Sequence, residues 1–183
     1  MKLKDGESRL RLFKNRINRG KGFSVRKGIK RAKGDIIVIQ DADWEYDPHD
    51  IPRLLEPILK GEAKAVYGSR FLGDGGRPQG MAFPNFAANK VLTFLTNILF
   101  GTKLSDMETC YKAVRAEVLK GLELKANRFA CEPEITAQLA KRGISIRELP
   151  ISYHGRTAGQ GKKIKAKDFF FAVFTLAWQR ITP

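Results

Sequence analysis

Two aspartates, Asp41 and Asp43, stand on either side of Ala42 directly after Asp35–Gln40 (DIIVIQ), a run rich in β-branched residues. If that run is a strand, both carboxylates emerge at its carboxyl end, where ligands of open α/β sheets bind. Two acids so spaced repel each other unless a cation lies between them, and their hard oxygens suit Mg²⁺ or Mn²⁺. Such an ion bridges a diphosphate and neutralises charge that grows on a leaving group. Glu45, two residues on, offers a third oxygen. The competing reading is that these acids cap the helix expected to open at Pro48, because Asp is favoured at helix N-termini. Asp47 and Asp50 fit that role, whereas Asp41 and Asp43 precede the helix by too many residues.

The elements needed to hold these residues follow from pattern. DIIVIQ lacks apolar–polar alternation, which suits a strand covered on both faces, as in a parallel sheet. Arg9–Lys14 (RLRLFK) alternates and predicts a short strand near an edge; Ser24–Ala32 predicts a basic helix stopped by Gly34. A helix is expected over Pro48–Lys60 with Gly61 as its stop, and a short buried strand over Ala63–Gly68. Phe71–Phe83 holds four glycines and a proline and reads as a loop, placed to act as a substrate lid. Helices are expected over Asn85–Phe100 and Glu132–Arg142, and a bent strand or strand pair over Ile144–Tyr153, broken at Pro150. Lys167–Ile181 predicts a final helix. Alternating strands and helices argue an α/β fold with a largely parallel sheet.

The 183 residues fit one ordinary domain, and 43% hydrophobic with 29% charged residues is a globular balance. A formal net charge of +15 points to an anionic partner: nucleic acid, lipid headgroups or phosphorylated substrates; two solvated basic faces are the bland alternative. No nucleic-acid motif is present and the basic residues lack interleaved aromatics, so a nucleic-acid partner is not expected. Cys110 and Cys131 are too few for a disulfide scaffold; His49 and His154 have no companions at metal-ligand spacing. The stretch 1–33 has no apolar core of a secretory signal. The apolar run Phe169–Trp178 falls short of the roughly 20 residues that span a bilayer. Lysines 162, 163, 165 and 167 precede it, a collar that suits an interfacial helix on an anionic membrane as well as a helix packed on the sheet.

Longer blocks carry a resemblance. Gly20–Pro48 (GKGFSVRKGIKRAKGDIIVIQDADWEYDP) resembles the middle of family 2 glycosyltransferases, inverting enzymes of the GT-A fold. The nearer likeness is to dolichyl-phosphate mannose and glucose synthases and their bacterial polyprenyl-phosphate relatives. VYGSRF (Val66–Phe71), NKVLTFLTNILFG (Asn89–Gly101), LSDMETCYKAV (Leu104–Val114), EPEITAQLAKRG (Glu132–Gly143) and LPISYHGRTAGQGKKI (Leu149–Ile164) agree in order and spacing. The resemblance implies transfer of a hexose from a nucleotide-sugar of UDP-glucose or GDP-mannose type to dolichyl or undecaprenyl phosphate, with Mg²⁺ or Mn²⁺. It implies Asp41 and Asp43 as metal and diphosphate ligands, with Glu45 on the ion. It implies Arg70 near the reacting phosphates and Asp106 near the acceptor, as base or as orienter of a cation or sugar hydroxyl. Arg156, Lys162 and Lys163 resemble a loop that closes over phosphates, with Gly161 where serine is usual.

The resemblance also implies a strand–helix–strand unit before DIIVIQ that holds the nucleotide base, and here only about a strand and a helix precede it, with Met1–Arg9 resembling a helix tail. Residues 1–165 are therefore expected to form an incomplete GT-A domain with an unpaired strand edge beside DIIVIQ, and 166–183 a C-terminal amphipathic to apolar helix. The expected setting is cytoplasmic, peripheral to a membrane, with a partner chain or missing segment completing the base pocket. The alternative is a catalytically inactive remnant or binding module.

Overall fold

The structure, a computed structural model, describes residues 10–73, 76–128, 130–155 and 166–182. Its elements in chain order are α1 (Lys21–Arg31), β1 (Ile36–Ile39), a 3₁₀ turn (Pro48–Asp50) running into α2 (Ile51–Leu59), β2 (Ala65–Ser69), α3 (Phe83–Phe100), β3 (Lys112–Arg115), α4 (Ala116–Lys120), α5 (Cys131–Lys141), β4 (Ile146–Pro150) and α6 (Ala166–Ile181). The strands form one sheet in the order β1-β3-β2-β4.

This is the expected α/β class, with pairing that differs from a run of parallel strands. β2 and β4 are parallel, but β3 lies between β1 and β2 and is antiparallel to both. β1 is accordingly an edge strand with a single described partner, and only Ile37 of its four residues is buried. The apolar run that suggests two covered faces is thus half-covered. Two apolar clusters fill the faces: Tyr67, Leu92, Met107, Val114, Leu119, Ile135 and Leu139 on one, Leu54, Ile58, Val66, Tyr111 and Ile151 on the other.

Several expectations shift. Residues 10–14 form no strand; Leu12 stays 79% exposed, because alternation without a sheet edge to join leaves the apolar face unburied. Met1–Arg9 lies outside the described residues. α1 begins at Lys21, earlier than expected, and its end is capped at Ala32 before Gly34 is reached. Asp47 does cap the turn after it, accepting from the His49 N–H at 2.9 Å. Asp50 instead accepts from the Ser152 N–H at 2.6 Å and pairs with Arg53, which ties the start of α2 to the end of β4. α6 packs an inner stripe of Phe169, Ala172, Val173 and Leu176 into the core, against α3 and α5.

The consequence of the topology is directional. β1, β2 and β4 point one way and β3 the other, so the exits of three strands and the entry of the fourth share one end of the sheet. Gly68 lets that end close: a Cβ there would lie 2.6 Å from Ile151 Cγ2 and 3.1 Å from Tyr111 Cβ. Gly68→Ala is expected to lower stability by about 1–3 kcal/mol through overpacking, measured by urea unfolding. A loss below about 0.5 kcal/mol would show that β4 can yield there.

Candidate active site

At the shared end, β1 delivers Asp41 and Asp43, β2 delivers Arg70, the segment entering β3 delivers Asp106, and the segment leaving β4 delivers Tyr153. Arg70 and Asp106 form the tightest contact of the group. The Asp106 carboxylate accepts from Arg70 Nε at 2.7 Å, from Nη2 at 2.6 Å and from the Arg70 backbone N–H at 3.0 Å. The pair is buried, with side-chain exposures of 8% and 0%. Burial works against the guanidinium charge, but Asp106, followed by Tyr46, holds it charged well above the ordinary arginine range.

The surroundings fix this pair from three sides. Glu148 on β4 accepts the N–H groups of Ser105 at 2.6 Å and Asp106 at 3.0 Å, clamping the loop that carries the carboxylate. Asn89 on α3 accepts from Arg70 Nη2 at 3.2 Å. The Arg70 guanidinium lies 5.4 Å from the Phe71 ring centroid and 5.5 Å from that of Tyr153. The Tyr153 hydroxyl is pushed up to about 12 by burial and then by Glu45, to which it is hydrogen-bonded, while Arg70 works the other way. Tyr46 packs on Tyr111 and Tyr153, and its hydroxyl accepts the Cys110 N–H. The turn after β1 is thus joined to the Arg70–Asp106 pair through Glu45, Tyr46 and Tyr153.

Asp41 sits differently. Its Oδ2 lies 2.7 Å from Lys21 Nζ, which also lies 2.6 Å from Glu132 Oε1. Lys21 is held charged well above its usual range: burial opposes this, and Glu132 with Cys110, Asp41 and Cys131 together outweigh it. A groove of about 300 Å³ runs between α1 and the open edge of β1, lined by Lys21, Val25, Ile29, Ile37 and Ile39, with Asp41 and Ala42 at one end. Asp43 accepts the Glu45 N–H at 3.4 Å within the turn. Trp44 between them is 93% exposed.

The expected three-residue ion set is not assembled in one place. Glu45 is buried toward Tyr153, and among the described residues no group of three or more His, Cys, Asp or Glu side chains is arranged to hold a metal ion. Magnesium-type ions on diphosphates commonly rest on one or two carboxylates and take their remaining oxygens from the phosphates and water. Asp41 beside an open groove, with Asp43 on the same turn, fits that donor set. Arg156, Lys162 and Lys163 lie outside the described residues.

Sequence reasoning passed over Lys21, Asn89, Glu132, Glu148 and Tyr153. Only Lys21 carried a signal, the Gly20-Lys21-Gly22 triplet at a helix start. The second buried ionic cluster, also missed, lies behind the site. Burial raises the Glu108 carboxyl and lowers Lys112, whose ammonium donates to the Met107 carbonyl at 2.7 Å and sits 3.8 Å from the Tyr67 ring centroid. Both cysteines are free and buried.

The model of the family described as "Glycosyl transferase family 2" matches residues 2–122. The chain is 26% identical over 141 residues to the low-salt glycan biosynthesis hexosyltransferase Agl6 of Haloferax volcanii, covering 75% of this chain and 33% of that protein. It is 27% identical over 141 residues to the glycosyltransferase AglJ of the same organism, covering 76% of this chain and 46% of AglJ. The chain therefore spans between a third and a half of the length of these relatives. Glucosyl-3-phosphoglycerate synthase from Mycobacterium tuberculosis, solved with Mn²⁺, UDP-glucose and phosphoglyceric acid, superimposes with a TM-score of 0.63 at 19% identity, over 90% of this chain and 56% of that one. The likeness bears out the expected GT-A fold.

Proposed function

This chain belongs to glycosyl transferase family 2, and from that premise we propose that it carries the diphosphate and acceptor machinery of an inverting, metal-dependent hexosyltransferase acting on a polyprenyl phosphate. The donor is a nucleotide-sugar of UDP-glucose or GDP-mannose type, the acceptor dolichyl or undecaprenyl phosphate, and the work is done at the cytoplasmic surface of a membrane. The observation that carries the reading is the buried Arg70–Asp106 pair, set beside the Asp41–Asp43 turn at the end of the sheet where three strands exit.

A phosphate acceptor is already ionised at neutral pH, so its oxygen needs placement and charge compensation more than deprotonation. Its oxygen bonds to the anomeric carbon as the bond from that carbon to the leaving diphosphate breaks, inverting the centre. Arg70 faces the reacting phosphates with a guanidinium whose rotamer is set by Asp106, Asn89 and Tyr153. Asp106, with both oxygens engaged by Arg70, orients that cation rather than taking a proton. Asp41 and Asp43 would hold Mg²⁺ or Mn²⁺, which supplies neutralisation of the leaving diphosphate when bound. Arg156, Lys162 and Lys163 are proposed as further phosphate contacts.

The test is transfer of radiolabel from UDP-glucose or GDP-mannose into detergent-dispersed polyprenyl phosphate, run with Mn²⁺ and with EDTA. Label in the organic phase that depends on Mn²⁺ is the expected result. Absence of label with every donor and acceptor, together with no binding of UDP or GDP at millimolar concentration, would leave the inactive binding module as the better reading.

A further inference from the structure

α3 and α6 lie against each other and send their inner stripes into the same core, so their outward stripes share one side of the molecule. Those outward stripes are apolar. On α3, Val91, Phe94 and Ile98 recur at helical spacing and are 46–63% exposed. On α6, Phe170, Phe174, Trp178 and Ile181 recur likewise and are 52–76% exposed, with Phe174 and Trp178 stacked at 6.2 Å. Single exposed apolar residues are ordinary; a contiguous run over two adjoining helices marks an interaction surface.

Charge identifies the partner. Residues 75–105, which contain α3, hold no acid and include Arg77, Lys90 and Lys103. From Leu149 to the end of the sequence the sole acid is Asp168, against Arg156, Lys162, Lys163, Lys165, Lys167 and Arg180. A second copy of the chain could cover the apolar stripes only by bringing together two chains that each carry a net charge of +15. An anionic bilayer accepts the stripes and attracts that positive charge at once. No helix among the described residues is long and apolar enough to cross a membrane.

We propose that the outer stripes of α3 and α6 form one docking face for an anionic lipid bilayer, with both helices lying in the headgroup region. α3 is the half of that face that reaches the site: its Asn89 holds Arg70, and its Lys90 sits 4.3 Å from the ring centroid of Phe71, next in sequence to Arg70. Docking so arranged brings the phosphate-binding arginine to headgroup depth. The purpose of the surface rests on the lipid-phosphate reading above; the binding itself does not.

The experiment is co-sedimentation of the full chain with vesicles of phosphatidylcholine alone or with phosphatidylglycerol, free of polyprenyl phosphate and nucleotide-sugar. Wild type is expected to sediment with the anionic vesicles only. Phe94→Glu with Ile98→Glu, and separately Phe174→Glu with Trp178→Glu, are each expected to weaken binding about tenfold or more, since each removes two apolar side chains from the contact. Circular dichroism melting checks that both variants fold. In a Trp44→Phe background, Trp178 emission is expected to shift to the blue on anionic vesicles, a readout that leaves the face intact. The proposal is overturned if the α3 variant binds as wild type, if Trp178 emission does not move, or if wild type ignores anionic vesicles. It is equally overturned if wild type sediments as a dimer in buffer that either variant dissolves. Transfer to detergent-dispersed acceptor is expected to survive Phe94→Glu with Ile98→Glu. Loss of transfer in wild type with vesicle binding intact would instead count against the lipid-phosphate reading alone.

Discussion

Asp106→Ala is expected to lower folding stability by about 3–5 kcal/mol, because it leaves the Arg70 guanidinium buried without its counter-charge. Asp106 is fully buried and takes three hydrogen bonds from Arg70, so the variant also strands an N–H donor of the backbone. The double variant Arg70→Met with Asp106→Leu should recover most of that loss, since an apolar pair of similar volume carries no desolvation penalty. Transfer activity should follow the opposite logic. If Arg70 faces the reacting phosphates as proposed, removing that preorganised charge costs on the order of 10²–10³ in rate, and the double variant, though folded, cannot restore it. Urea unfolding and initial transfer rates on the three proteins separate the two effects. Stability of Asp106→Ala within about 0.5 kcal/mol of wild type would mean that the pair opens to water and that Arg70 is not held for phosphate.

The legibility of this site in the sequence was uneven for physical reasons. Asp41 and Asp43 stood out because an apolar run ends immediately before them, and Arg70 and Asp106 because their blocks resemble those of the family. Their pairing did not, because the whole of α3 lies between them in the chain and the hydrogen bonds span a separation of 36. β3 went unnoticed because Lys112 disguises it. A lysine in a central strand reads as surface, and only the Met107 carbonyl and the Tyr67 ring make its burial tolerable. RLRLFK failed in the other direction, since its alternation is as good as that of many strands but it pairs with no described neighbour. Glu45 was grouped with Asp41 and Asp43 by spacing and by the family resemblance. Tyr153, more than a hundred residues away, draws it out of that group, and the sequence held no sign of it.

Lys21→Met and Asp41→Asn are expected to move Mn²⁺ affinity in opposite directions, and the sign is the diagnostic. The Lys21 ammonium occupies Asp41 at 2.7 Å, the charge that a divalent ion would take. Asp41→Asn removes a unit charge from contact with the ion. At about 4 Å and an effective dielectric of about 20 that is worth about 4 kcal/mol, so affinity should fall by up to about 10³-fold. Lys21→Met removes a competing cation and should tighten Mn²⁺ binding in the absence of nucleotide, read by the electron paramagnetic resonance of the free ion. The same change should destabilise the fold, because Glu132 is 7% exposed and loses the partner 2.6 Å away. In wild type, burial pushes the Glu132 carboxyl up, but Lys21 foremost, with Cys131 and Lys112, together outweighs it and leaves it below its ordinary value of 4.5. Its contribution to stability is therefore present above about that pH and is lost as pH falls through the lowered folded value. Without Lys21, burial prevails and the carboxyl rises, so the variant should be least stable relative to wild type at neutral pH and recover ground on acidification. A Lys21→Met protein that binds Mn²⁺ no better than wild type, yet shows this inverted pH profile, would keep the ion pair as a structural feature and remove Asp41 as the ion's ligand.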